Sequence, residues 1–126
     1  MKNNLLMLIK YLYYSSLIAL LIIYLFPGSI IGYLFYSDFS KQPNLIENPI
    51  GTSINHLFTF MYITTLATIC NLKYKGIFTN IYFIFYMSVF LEASHFFIPN
   101  RAFEIFDLSA NVFGVLIIYL FKKIIK

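Results

Sequence analysis

The stretch that decides the fold is Tyr11-Leu-Tyr-Tyr-Ser-Ser-Leu-Ile-Ala-Leu-Leu-Ile-Ile-Tyr-Leu-Phe26, followed at once by Pro27-Gly28. It carries no charge, and the charge-free run continues to Ser37. A bilayer's hydrocarbon core is about 30 Å thick and takes roughly 20 helical residues to cross. Lys10 stands before the run, and no small-residue cleavage signature follows it, so it reads as a first spanning helix rather than a signal peptide. Pro27-Gly28 marks a kink or an end.

Composition carries the same message outward. The chain has 126 residues, of which 60% are hydrophobic and 11% charged. Soluble domains average about 45–50% apolar and about 25% charged. The excess cannot be hidden in one small core, and the mean hydropathy of +0.79 agrees. Disordered chains, coiled coils and disulfide scaffolds are excluded. The single cysteine, Cys70, rules out an internal disulfide and a cysteine-based metal site.

Further charge-free stretches follow. A polar loop, Ser37 to Gly51, holds Asp38, Lys41, Pro43, Glu47 and Pro49. Four spans result, at about 11–31, 53–70, 77–95 and 108–121, with Pro99 stopping the third and Asp107 expected as N-cap of the fourth. The runs are too long for membrane strands and do not alternate apolar with polar. The expected fold is all-α, a four-helix transmembrane bundle forming a single domain over 1–126.

Charge orients it. Lys2, Lys10, Lys73, Lys75, Lys122, Lys123 and Lys126 fall on one side; only Lys41 and Arg101 fall on the other. By the positive-inside rule both termini are cytoplasmic. The net charge of +4 is thereby explained by topology, and no nucleic-acid partner is expected. The bilayer is the expected partner and a multi-pass membrane location follows; protein partners and oligomeric state are undetermined.

Polar groups are expensive in lipid and gather where they are used. His56, Glu92, His95, Arg101, Asp107 and Asn111 all fall at the outer end of the spans. Glu92 and His95 share a helix face at i,i+3, and Asp107 and Asn111 at i,i+4. Taken singly, each has a plain structural reading: Asp107 as a cap, Glu92 paired with Arg101, His95 as an interfacial histidine. Gly114 reads as a close-packing position. Taken together they read as a binding site for an anionic amphiphile, with Arg101 as a forked clamp. The alternative is a membrane-interface enzyme with Glu92 or His56 as acid/base. A third reading is a structural subunit of a membrane complex. A metal set from His56, Glu92, His95 and Asp107 has no recognised spacing; no metal and no organic cofactor is assigned. Nucleophile elbow, phosphate loop and zinc-protease motifs are absent.

The stretch Glu92-Ala-Ser-His95-Phe-Phe-Ile-Pro99-Asn-Arg101-Ala-Phe-Glu-Ile-Phe-Asp107-Leu-Ser-Ala-Asn111-Val-Phe-Gly114 resembles the VanZ-like family of small membrane proteins. The pattern is a glutamate ending a helix, a proline–arginine turn, then Asp-Leu, Asn and Gly. Ser53-Ile-Asn-His56-Leu-Phe-Thr-Phe60 resembles the family's earlier histidine element. The resemblance covers roughly Gly51 to Phe121. His95 stands where the family often has Gln, and Thr52–Asn55 where it often has Asp-Lys. The resemblance implies a bacterial membrane protein acting at the outer face on the cell envelope or a lipid-linked intermediate, with a tie to glycopeptide antibiotic resistance. Carried over by position, His56, Glu92, Arg101, Asp107 and Asn111 are the motif residues.

Overall fold

A computed structural model describes residues 2–43 and 51–125. Residues 44–50 of the expected polar loop, with Glu47 and Pro49, and Lys126 lie outside the described residues. The chain is all-helical, with no strand among the described residues. Five helices follow in order: α1 (Lys2–Leu25), α2 (Ile30–Tyr36), α3 (Gly51–Asn71), α4 (Ile81–Ser94) and α5 (Ile105–Ile125).

The helix bounds correct the expected spans in four places. α1 begins at Lys2 rather than near Tyr11, because Asn3 to Lys10 contains no breaker and is rich in helix-forming Leu, Met and Lys. It stops at Leu25, and Gly28 turns the chain with φ +98, a conformation open to glycine. Residues 30 and 31 belong not to the first span but to α2, which Ser29 caps by accepting from the Gly32 N–H at 2.9 Å. α4 begins at Ile81, not Ile77, since Asn80 takes the cap position and accepts from Tyr82 N–H at 3.0 Å. α5 begins at Ile105, so Asp107 lies in its first turn and is not the cap. A carboxylate there still favours the positive end of the helix dipole.

α1 and α5 are long and apolar enough to cross a membrane; α4 is a shorter apolar helix. At 1.5 Å per residue, α1's 24 residues reach about 36 Å. α3 packs against α1, α4 and α5, and α4 against α1 and α5. Each long helix buries one stripe. Tyr13, Leu17, Leu20 and Tyr24 form it on α1, and Phe60, Ile63, Ala67 and Cys70 on α3. Ile84, Ser88 and Leu91 form it on α4. Steps of three and four residues define such a face. Gly114 lets α3 and α5 approach: a Cβ there would meet the Leu57 carbonyl oxygen at 2.6 Å and Phe60 Cβ at 3.0 Å. This is the close-packing role that its place on the helix suggested.

About half of the large apolar side chains among the described residues are exposed, Leu8, Ile18, Leu34, Tyr86, Phe90, Phe113 and Ile124 among them. The buried stripes are apolar along most of their length. At one end, where α1 and α4 finish and α3 and α5 start, each stripe turns polar.

Candidate functional site

At that end the four helices bring together Tyr24 from α1, Ser53 and His56 from α3, Glu92 and His95 from the end of α4, and Asp107 and Asn111 from α5. Glu92 and Asn111 are fully buried, His95 is 4% exposed and Asp107 6%. Charged groups are rarely buried without partners, because transfer out of water costs several kcal/mol per ion even after relaxation.

His56 is the hub. Its Nε2 lies 3.4 Å from Asp107 Oδ2, and its Nδ1 lies 3.7 Å from Glu92 Oε2. The Tyr24 hydroxyl is 2.8 Å from Nδ1, and Asn111 Oδ1 is 3.2 Å away. Both ring nitrogens thus face oxygen atoms. The other Asp107 oxygen accepts from the Ser53 hydroxyl at 2.6 Å. That proton goes to the carboxylate and not to the imidazole, so Ser53 is not arranged as an activated nucleophile.

Glu92 is held on several sides. Oε1 accepts from the Glu104 backbone N–H at 3.2 Å and lies 3.3 Å from His95 Nδ1. Oε2 is 3.5 Å from the Asn111 amide nitrogen. His95 Nε2 faces the Tyr24 carbonyl at 3.3 Å, and its ring stacks on the Tyr24 ring at 5.7 Å. The bland pairing of Glu92 with Arg101 is therefore replaced by histidines, an amide and a backbone N–H.

Arg101 comes from the turn between α4 and α5. Its Nη2 donates to the Ile23 carbonyl at 2.7 Å and its Nε to the Phe26 carbonyl at 3.3 Å. These oxygens lie at the end of α1, where helix carbonyls lack intrahelical donors and a cation is favoured. Burial pulls the guanidinium below its ordinary pKa, while Tyr24 and Glu92 pull it back up. It remains a cation. The turn that carries it is set by Pro99 and by Asn100, which takes a left-handed φ of +59.

A cavity of about 100 Å³, with Ile23, Ile31 and Pro43 in its walls, opens beside the cluster. Tyr24, Gln42, Asn55, His56, His95 and Arg101 line it, and neither Glu92 nor Asp107 does. Asn55 donates to the Pro43 carbonyl at 2.6 Å, but its own oxygen is buried with no partner among the described residues. The cavity has room for several waters, or for one phosphate- or carboxylate-sized group.

His56, Glu92 and Asp107 each offer one ligand atom, and these atoms all lie within 4.8 Å of one another. This trio is the set that would hold a cation. In the present arrangement its atoms are partnered by Tyr24, Ser53, Asn111 and each other.

All six residues picked out in the sequence thus meet at one end, five in the buried network and Arg101 across the cavity. Three partners were missed. Ser53 and Ser88 contribute a hydroxyl and a backbone carbonyl, the latter 3.4 Å from the Asn111 amide. The third is Tyr24, one of eleven tyrosines in the sequence. Its signal was its place at the end of the Tyr13-Leu17-Leu20 stripe, hard to see in a helix apolar on every face. No protein-family model, curated protein or solved structure matches the chain.

Proposed function

We propose that this chain is a VanZ-like integral membrane protein of the bacterial cell membrane. In this reading it is a four-helix transmembrane bundle with cytoplasmic termini, and its outer-face cavity recognises the anionic head of a lipid or lipid-linked envelope component. One observation carries the reading: the polar part of the cavity lining is Arg101, two histidines and neutral groups, beside Ile23, Ile31 and Pro43, while both carboxylates stand behind the histidines and out of the lining. An anion entering meets a guanidinium with no carboxylate beside it in the lining. The Asn55 oxygen, buried without a partner among the described residues, adds a preference for a head that also carries an O–H or N–H donor. The motif from Glu92 to Gly114 supports the family reading, and with it the link to glycopeptide-type resistance. The lysine asymmetry supports the orientation.

The test is native mass spectrometry of protein extracted gently with its own lipids. Wild type is expected to retain one more anionic adduct than Arg101→Gln does, and Arg101→Lys to keep it in part. Equal anionic adducts on wild type and Arg101→Gln, with both variants merely melting earlier, overturn the reading and leave a structural lock at the helix ends.

A further inference from the structure

The opposite end of the molecule carries a second polar feature. Lys122 and Lys123 stand in the last turn of α5. A hollow of about 300 Å³ opens there between the end of α3, the start of α4 and the end of α5. Its polar walls are Asn71, Asn80 and the two lysines, with the Tyr82 and Tyr119 rings beside them. No acidic residue lines it, and neither lysine has an ion-pair partner among the described residues. Two other lysines are engaged elsewhere: Lys73 donates to Asn3 Oδ1 at 3.0 Å, and the Lys10 ammonium sits 4.7 Å over the Tyr74 ring.

This hollow does not end in polar walls. Ile81, Tyr82 and Tyr119 belong both to it and to an apolar groove of about 380 Å³ that runs along the α4/α5 seam past Phe85, Val115 and Leu116. On the other side of α5, Lys122 also borders an apolar hollow of about 350 Å³ between α3 and α5. A cationic pocket opening into greasy slots has the shape and charge of an anionic amphiphile with acyl chains. Inorganic phosphate would satisfy the lysines and leave the groove empty. A neutral lipid would fill the groove and leave two ammonium groups without a counter-charge. Basic pockets between membrane helices bind anionic head groups for this reason, and tyrosines at the head-to-tail junction suit its mixed polarity.

We propose that the α4/α5 seam at this end is a binding site for an anionic phospholipid. Its phosphate sits on Lys122 and Lys123 between the Asn71 and Asn80 amides, and an acyl chain lies along the groove past Leu116. The site is separate from the Arg101 cavity and rests only on the chain being membrane-embedded.

The experiment uses the full chain in a neutral detergent, titrated with phosphatidylglycerol or with phosphatidylcholine of identical acyl chains. Binding is read by native mass spectrometry and by the shift in melting temperature. Phosphatidylglycerol is expected to bind and raise the melting temperature, and phosphatidylcholine to do neither. The double variant Lys122→Gln/Lys123→Gln should bind phosphatidylglycerol on the order of 30-fold more weakly at low salt, the effect of two membrane-proximal lysines. Leu116→Trp, which fills the groove from a partly exposed position, should weaken binding with both lysines intact. Equal binding of the two lipids, or unchanged affinity in the lysine variant, overturns the site. Full binding by Leu116→Trp overturns the groove and leaves surface adsorption. Arg101→Gln should leave this lipid in place, which separates failure here from failure of the cavity at the other end.

Discussion

The Tyr24 hydroxyl on α1 lies 2.8 Å from His56 Nδ1 on α3, joining residues 32 apart in the chain. The same hydroxyl donates to Asn111 Oδ1 on α5 at 3.1 Å. One phenol thus ties three helices at the centre of the buried cluster.

Tyr24→Phe keeps the ring against His95 and removes only the hydroxyl. It leaves His56 and Asn111 each short of a buried partner, a loss of about 1–3 kcal/mol. Thermal unfolding in detergent should show the drop, and the anionic adduct of the cavity should weaken with it. An unchanged melting temperature would mean that the hydroxyl contributes no net stability.

Glu92 is fully buried and touched by two histidines, an amide and a backbone N–H. Glu92→Ala strands all four and opens a void, so a loss of about 3–5 kcal/mol is expected, as for breaking a buried pair. Glu92→Gln keeps the shape and one acceptor oxygen and should lose clearly less. Comparing the two melting curves separates the contribution of the charge from that of the volume.

Gly114→Ala tests the α3/α5 contact. The added methyl would sit 2.6 Å from the Leu57 carbonyl oxygen, a backbone atom that cannot swing aside. The helices must part, at about 1–3 kcal/mol. A cysteine pair engineered across the seam should cross-link more slowly in the Ala variant; an equal rate would refute the close approach.

Asp38 lies in the loop after α2, where the Ser40 hydroxyl and backbone N–H donate to Oδ1 at 2.7 and 2.9 Å. These bonds hold its carboxyl below the ordinary value, the Ser40 side chain contributing most. A depressed folded pKa contributes order that is present above the ordinary carboxylate value and is lost as pH falls through the lower one. The Ser40 amide resonance should therefore titrate below the usual Asp range, and Asp38→Asn should remove that step.

Much of the cluster was legible because its signals are local. Glu92 and His95 share a face by spacing alone, as do Asp107 and Asn111, and polar residues in apolar runs stand out. Helix ends were less legible. Nothing in Lys2 to Lys10 announces whether a helix has begun, and Asn80 and Ile105 set starts that hydropathy does not mark. Arg101 was legible as a cation in the turn before the last helix, but not its use on the Ile23 and Phe26 carbonyls, 78 and 75 residues away.

By itself, then, the sequence determined the helical class, the apolar surface and the set of polar residues gathered at one end, because these follow from composition and from a 3.6-residue period. The tertiary structure alone decided which of those residues meet. It put Tyr24 on His56, kept both carboxylates out of the cavity lining, and turned Arg101 onto the end of α1. Such pairings depend on how four helices rotate and slide against one another, and that is settled by close contacts such as Gly114 against Leu57, far apart in the chain.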